Sequence, residues 1–76
     1  MFNPNNLNQL SYAGEFSMWH YFSDDEYLEV SQDDYFDSRC SAKQGDIIVC
    51  SLSNDRTGMF TLVELRGRTT VRPLSF

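Results

Sequence analysis

Residues 42–71, AKQGDIIVCSLSNDRTGMFTLVELRGRTTV, decide the fold class. Gly45 and Asp46 supply a turn, and the apolar, β-branched run from Ile47 to Leu52 reads as a strong strand. SNDRTG, residues 53–58, is rich in turn formers and predicts a hairpin loop into a second strand, Met59 to Arg66. Gly67 and Arg68 predict a tight turn into TTVRPLS, residues 69–75. Pro73 confines that segment to an edge or a strand end, because proline cannot donate to a ladder.

Working back from this core, FSMWHYF, residues 16–22, alternates Phe16, Met18, His20 and Phe22 on one side with Ser17, Trp19 and Tyr21 on the other. A strand apolar on both faces is either sandwiched or sits at an interface. Ser23 then heads SDDE, the capping-box pattern with Glu26 three residues on, and predicts a short helix from about Asp24 to Val30. Tyr35 and Phe36 interrupt a polar run as anchors that pin a loop to a core. The first fifteen residues, MFNPNNLNQLSYAGE, lack a regular period and are rich in Asn, which predicts an extended N-terminal arm. The expected architecture is mainly β: a small antiparallel β-barrel or rolled sheet of about four strands, with one short helix. Residues 1–15 form the arm and residues 16–76 a single small β domain.

Charge is divided between the halves. Residues 1–38 carry eight acidic side chains and no Lys or Arg, a net of −8; residues 39–76 carry six basic and three acidic ones, a net of +3, and the two sum to −5. A nucleic-acid reader needs a basic face, so the whole chain argues against DNA or RNA as a partner. A bipolar chain can instead associate head to tail. Residues 16–37 hold seven aromatic rings and seven carboxylates. A helix start and a solvated face account for most of those charges.

Motifs that carry chemistry are sparse. Cys40 and Cys50 form no CxxC pair and His20 has no second histidine nearby, so no zinc template exists. A Cys40–Cys50 disulfide is one reading; a free thiol buried in IIVCSL is the commoner one. No charged n-region with an apolar stretch behind it opens the chain, and no run of 18 apolar residues occurs, which predicts a cytosolic, non-membrane protein without cofactor. DDEYLEVSQDD lacks the glycine and the spacing of a calcium loop. His20 can neighbour Ser17 or Ser23 without forming a catalytic dyad, and the four glycines are isolated rather than gathered in a phosphate loop. A chain of 76 residues hardly builds a pocket and a core together, so an enzyme is not expected.

NPNNLNQL near the start, WHYFSDDEYLEV, the pair Tyr35-Phe36, GDIIVCS and a final TTV stand in an order and spacing that resemble a family of very short proteins of tailed bacteriophages and prophages. The likeness covers roughly residues 3–71, and its single motifs are unspecific. In the family's pattern a Gly precedes the Tyr-Phe pair, where this chain has Asp34, a residue less suited to a positive-φ turn.

The resemblance implies a virion or virion-assembly component. Size, arm and bipolar charge then favour a capsid decoration (cement) protein, whose partners are the major capsid protein and copies of itself, as a homo-oligomer such as a trimer. The expected contacts are the arm (Phe2, Leu7, Leu10, Tyr12), an exposed face of the first strand (Trp19, Tyr21) and a basic edge (Arg66, Arg68, Arg72). On this reading, deleting residues 1–10 leaves a folded domain that no longer joins the particle. An acidic nucleic-acid mimic that inhibits a host DNA-binding protein is the rival from another class. A tail or head-to-tail connector subunit shares the assembly physics.

Overall fold

The β-branched run forms the central strand of one open, mixed sheet. A computed structural model describes residues 1–12, 14–37, 39–53 and 56–74. Five strands lie in chain order: β1 (Leu7–Tyr12), β2 (Ser17–Phe22), β3 (Ile47–Ser51), β4 (Thr57–Leu65) and β5 (Arg68–Pro73). The mainly β expectation holds, but there are five strands rather than four, and β1 and β5 are opposite edges, so no barrel closes. Nor is the sheet wholly antiparallel. β2 and β3 run parallel, which requires the long crossover of residues 23–46 to return across one face of the sheet.

That crossover makes the core. Tyr35 and Phe36 drop from it onto Tyr21 and Phe2, with ring centroids 5.1–6.1 Å apart and mostly edge-to-face. Phe2, Tyr21, Val30, Phe36, Ile48, Cys50, Leu52, Phe60, Leu62 and Val71 are buried together. Both cysteines are free, and burial pushes the Cys50 thiol up to about 12. The aromatic cluster is also wired by hydrogen bonds. Asn3 N–H donates to the Tyr21 hydroxyl at 2.9 Å, the Tyr21 and Tyr35 hydroxyls are 2.9 Å apart, and Tyr35 donates to Asp25. Because the Asp25 carboxylate can only accept, Tyr21 must be the donor to Tyr35. Burial first, and the Asp25 contact second, hold the Tyr35 phenol above its usual range.

The crossover helix is shorter than the sequence suggests. One α-helical turn, α1 (Tyr27–Val30), starts after Glu26, which gives no side-chain cap. Ser23 Oγ instead accepts from Asp25 N–H at 2.9 Å, a turn two residues long in place of the expected capping box. Tyr27 of α1 then lies against Phe60 at 5.3 Å and over Gly58, where an added Cβ would stand 3.0 Å from the Tyr27 ring. Gly58 is thus a point in β4 where the crossover comes close to the sheet.

The first residues are not a separable arm. A 3-10 turn at Pro4–Asn6 leads into β1, which pairs with β2 through Leu7↔Tyr21 to Tyr12↔Ser17, with a bulge between Gln9 and Ser11. Phe2 is 3% exposed, because its ring fills the space beside Tyr21 and Phe36. Of the predicted hairpin loop, Asn54 and Asp55 lie outside the described residues, as does Ser75 at the end of the last predicted strand. The β4–β5 turn is Arg66-Gly67, one residue earlier than expected, closed by the pair Leu65↔Arg68.

Asp34 takes the left-handed conformation, φ 62°, before the Tyr-Phe pair. Its N–H donates to Thr69 O at 2.6 Å, and its Oδ1 accepts from Thr69 N–H at 3.1 Å, so the crossover loop clamps the free edge of β5. Short side-chain bonding of this kind lets Asp occupy a region that other L residues avoid. Asp34→Ala is therefore expected to cost about 1–2 kcal/mol in urea unfolding, whereas Asp34→Gly, which keeps the turn and loses one bond, should stay within about 1 kcal/mol of the parent.

Candidate functional site

The crossover covers only one face of the sheet. Residues paired in register share a face, so two sets follow from parity. Trp19, Tyr21, Ile48, Cys50, Phe60, Leu62 and Val71 point to the crossover. Met18, His20, Phe22, Ile47, Val49, Met59 and Val63 point away from it. In register they form rows across the sheet: Met18, Ile47 and Thr61; His20, Val49 and Met59; Phe22, Ser51 and Thr57. No element of the described residues lies over these rows, and Phe22 is 56% exposed.

Five aliphatic or thioether side chains of this face (Met18, Ile47, Val49, Met59, Val63) are only half-buried. Together they give this face an apolar character that nothing in the sheet itself covers fully. His20 sits in the middle of it. Its Nε2 lies 2.9 Å from Ser51 Oγ, which satisfies the ring, and among the described residues no carboxylate orients the other ring nitrogen. Arg68, Thr70 and Arg72 alternate along β5 on this same face and give its rim positive charge.

The predicted contact residues are divided by the fold. Phe2 and Tyr21 are in the core, at 3% and 0% exposure, and offer no surface to a partner. Leu7 is half-buried and packs against the same cluster. Leu10 and Tyr12 are exposed on β1, at 59% and 73%. The expected exposed face of the first strand is inverted: Trp19 and Tyr21 look toward the crossover, and Met18, His20 and Phe22 look outward. Trp19 is half-buried, its indole N–H donating to Asp46 Oδ2 at 3.0 Å, and together with Tyr12, Phe16 and Lys43 it lines a shallow groove of about 360 Å³. Arg66, Arg68 and Arg72 are brought together with Asp33 and Thr70 around a cleft of about 620 Å³.

Sequence reasoning missed Met18, Phe22, Ile47, Val49, Met59 and Val63. IIVCS and MFTLV are apolar at both parities, so neither run announces which side meets the crossover. Carboxylates of the acidic segment are largely committed within the chain. Asp25 accepts from Tyr35, Asp33 from Thr70, Asp34 from Thr69 and Asp37 from Arg39. No family model, no curated protein and no solved structure matches the chain.

Proposed function

We propose that this chain is a structural component of a tailed-phage particle: a decoration protein that lays the uncovered face of its sheet on the major shell protein, in many copies. The uncovered apolar rows around Val49 carry the reading. They are only partly covered within the chain and gain further free energy when another surface takes them out of water, at about 25 cal/mol per Å² of apolar area. The arginines along β5 form a polar rim, and rim charges fix orientation and encounter more than affinity. A small body with a single sticky face binds weakly alone. On a lattice, many such contacts and bridges between neighbouring subunits act together. The resemblance of the ordered motifs to short phage proteins supplies the setting.

A nucleic-acid mimic finds less support, because four carboxylates of the acidic segment serve as internal acceptors rather than standing free at phosphate-like spacing. A connector subunit would use the same face.

Counting copies of the chain in purified particles by quantitative mass spectrometry tests the proposal. On the order of hundreds per particle is the expected result, about a dozen points to a connector, and none sinks the virion reading. Val49→Glu, which places a charge in the middle of the apolar rows, should lower incorporation by about tenfold or more while the far-UV circular dichroism stays unchanged. Normal incorporation of that variant would exclude this face as the contact.

A further inference from the structure

The sheet carries opposite charges at its two ends. Asp24 and Glu26 follow β2, while Asp25 and Glu29 take the N-terminal ammonium, and Glu26 borders a concavity with Ser53 and Arg56, which places this acidic turn at the end where β4 begins. Arg66 and Arg68 lie at the other end of β4, past Leu65. From Thr57 to Leu65 the strand spans about 25 Å, at roughly 3.3 Å per residue, so the two groups cannot neutralise each other within one molecule.

Unused arginines are odd in an acidic chain. Of its six basic residues, Arg39 pairs with Asp37 at 2.9 Å and Arg56 stacks on the Tyr27 ring at 4.2 Å. Arg66, Arg68 and Arg72 line one cleft, and among the described residues none of them has a carboxylate partner. Asp33 borders the same cleft, but it accepts from the Thr70 hydroxyl at 2.6 Å, and three guanidiniums against one carboxylate leave the cleft positive. Arg66 also stands in the left-handed region, φ 52°, at the hairpin tip, where Asn or Gly is the residue that fits without strain. Local conformation therefore does not explain an arginine there; a charge presented at the tip does.

We infer that copies of this chain associate head to tail, the arginine cleft of one receiving the Asp24–Glu29 turn of the next. The contact is made by side chains rather than by an added strand, because Asp34 occupies Thr69 on the free edge of β5 and Pro73 has no N–H to offer. Two different patches meet, so the contact is heterologous and repeats, closing a ring or extending a row according to its rotation. It engages the arginines at the rim of the apolar face but not the rows around Val49, so different variants test it and the docking proposed above.

The test is sedimentation velocity of the full chain alone, at about 0.05 M and about 0.5 M salt. Association is expected at low salt and should weaken by about tenfold or more at high salt, where the Debye length shrinks below the reach of exposed charges. The double variants Arg66→Glu/Arg68→Glu and Asp24→Lys/Glu26→Lys should each be monomeric, with circular dichroism and thermal melting confirming that they fold. An equimolar mixture of the two should associate again, since each restores the sign its partner lost. A parent chain that stays monomeric at low salt, or a mixture of folded variants that stays monomeric, overturns the inference. So does loss of association in the arginine variant alone, which would assign the cleft to some other anionic surface. Val49→Glu should leave this self-association unchanged, which separates the result from the fate of the docking face.

Discussion

Asp46→Ala is expected to cost about 3–5 kcal/mol, a large share of the stability open to a chain of 76 residues. Asp46 is 7% exposed and holds three segments together through one carboxylate. Oδ1 accepts from Ser17 N–H at 3.0 Å, and Oδ2 accepts from the Trp19 indole and from Lys43 N–H, each at 3.0 Å. Its main chain adds to this, donating to Lys43 O and accepting from Leu62 N–H, so the residue joins the start of β2, the turn before β3 and the middle of β4. Removing the carboxylate strands three donors. The Ser17 contact is buried and the other two are part-buried; a buried donor left unpaired costs about 1–3 kcal/mol, and breaking the cluster costs about 3–5 kcal/mol in total. A chain of 76 residues has only about 4–11 kcal/mol to lose.

Asp46→Asn should retain more structure, though not all. The amide keeps one acceptor oxygen but turns its NH2 toward a donor, either Ser17 N–H or the pair on Oδ2. Urea unfolding followed by far-UV circular dichroism ranks the three proteins, and an Asp46→Ala midpoint close to the parent's would show that the carboxylate is not the hub.

The same group contributes to the acid sensitivity of the fold. Burial pushes the Asp46 carboxyl up, but the Lys43 and Ser17 amides and the Trp19 indole outweigh it, so the carboxyl lies below its ordinary value. A carboxyl depressed on folding stabilises the native state fully above its unfolded pKa, about 3.9. That contribution disappears as pH falls from there through the folded value. Parent stability should accordingly fall below about pH 4, and that of Asp46→Ala should fall less.

Phe2→Ala is expected to cost about 3–5 kcal/mol, the usual range for emptying a buried ring site. The Phe2 ring touches Tyr21, Tyr35 and Phe36, and its carbonyl accepts from Arg39 at 3.1 Å. Deleting residues 1–10 removes this ring, most of β1 and the Asn3 amide that ends the tyrosine chain. The truncated chain should therefore fail to fold, where the sequence alone suggested a stable domain without its arm. A cooperative thermal transition in the truncated chain would show that the N-terminal segment is dispensable after all. Loss of particle incorporation on truncation would carry no information about contacts, because the whole sheet depends on that segment.

Strand existence was legible from residue type. IIVCS, MFTLV and TTV are β-branched or aromatic and are separated by turn formers, and they fold as β3, β4 and β5 within a residue or two of expectation. Tyr35 and Phe36 also behave as the anchors their isolation implied, Phe36 at 1% exposure. β1 was missed because LNQLSY is polar at most positions: an edge strand buries little, so it needs no apolar alternation. The helix was overestimated because Ser23 had a competing local acceptor role, bonding two residues on instead of capping.

The outward face was the least legible. In Phe16–Phe22 the Trp and Tyr side chains look like contact residues, and the thioether and imidazole look ordinary. The assignment reverses because Tyr21 alone can reach Asn3, Phe2, Tyr35 and Phe36 at once. Composition thus settled that the chain makes a small β body with an acidic half and a basic half. Side-chain volumes and hydrogen-bond partners distant in sequence settled which parity faces inward, since both parities are apolar and only the path of the 23–46 crossover distinguishes them. Nothing local fixes that path. It is chosen by where Phe2, Tyr35 and Phe36 can close over Tyr21, and the face left bare is a consequence of that closure.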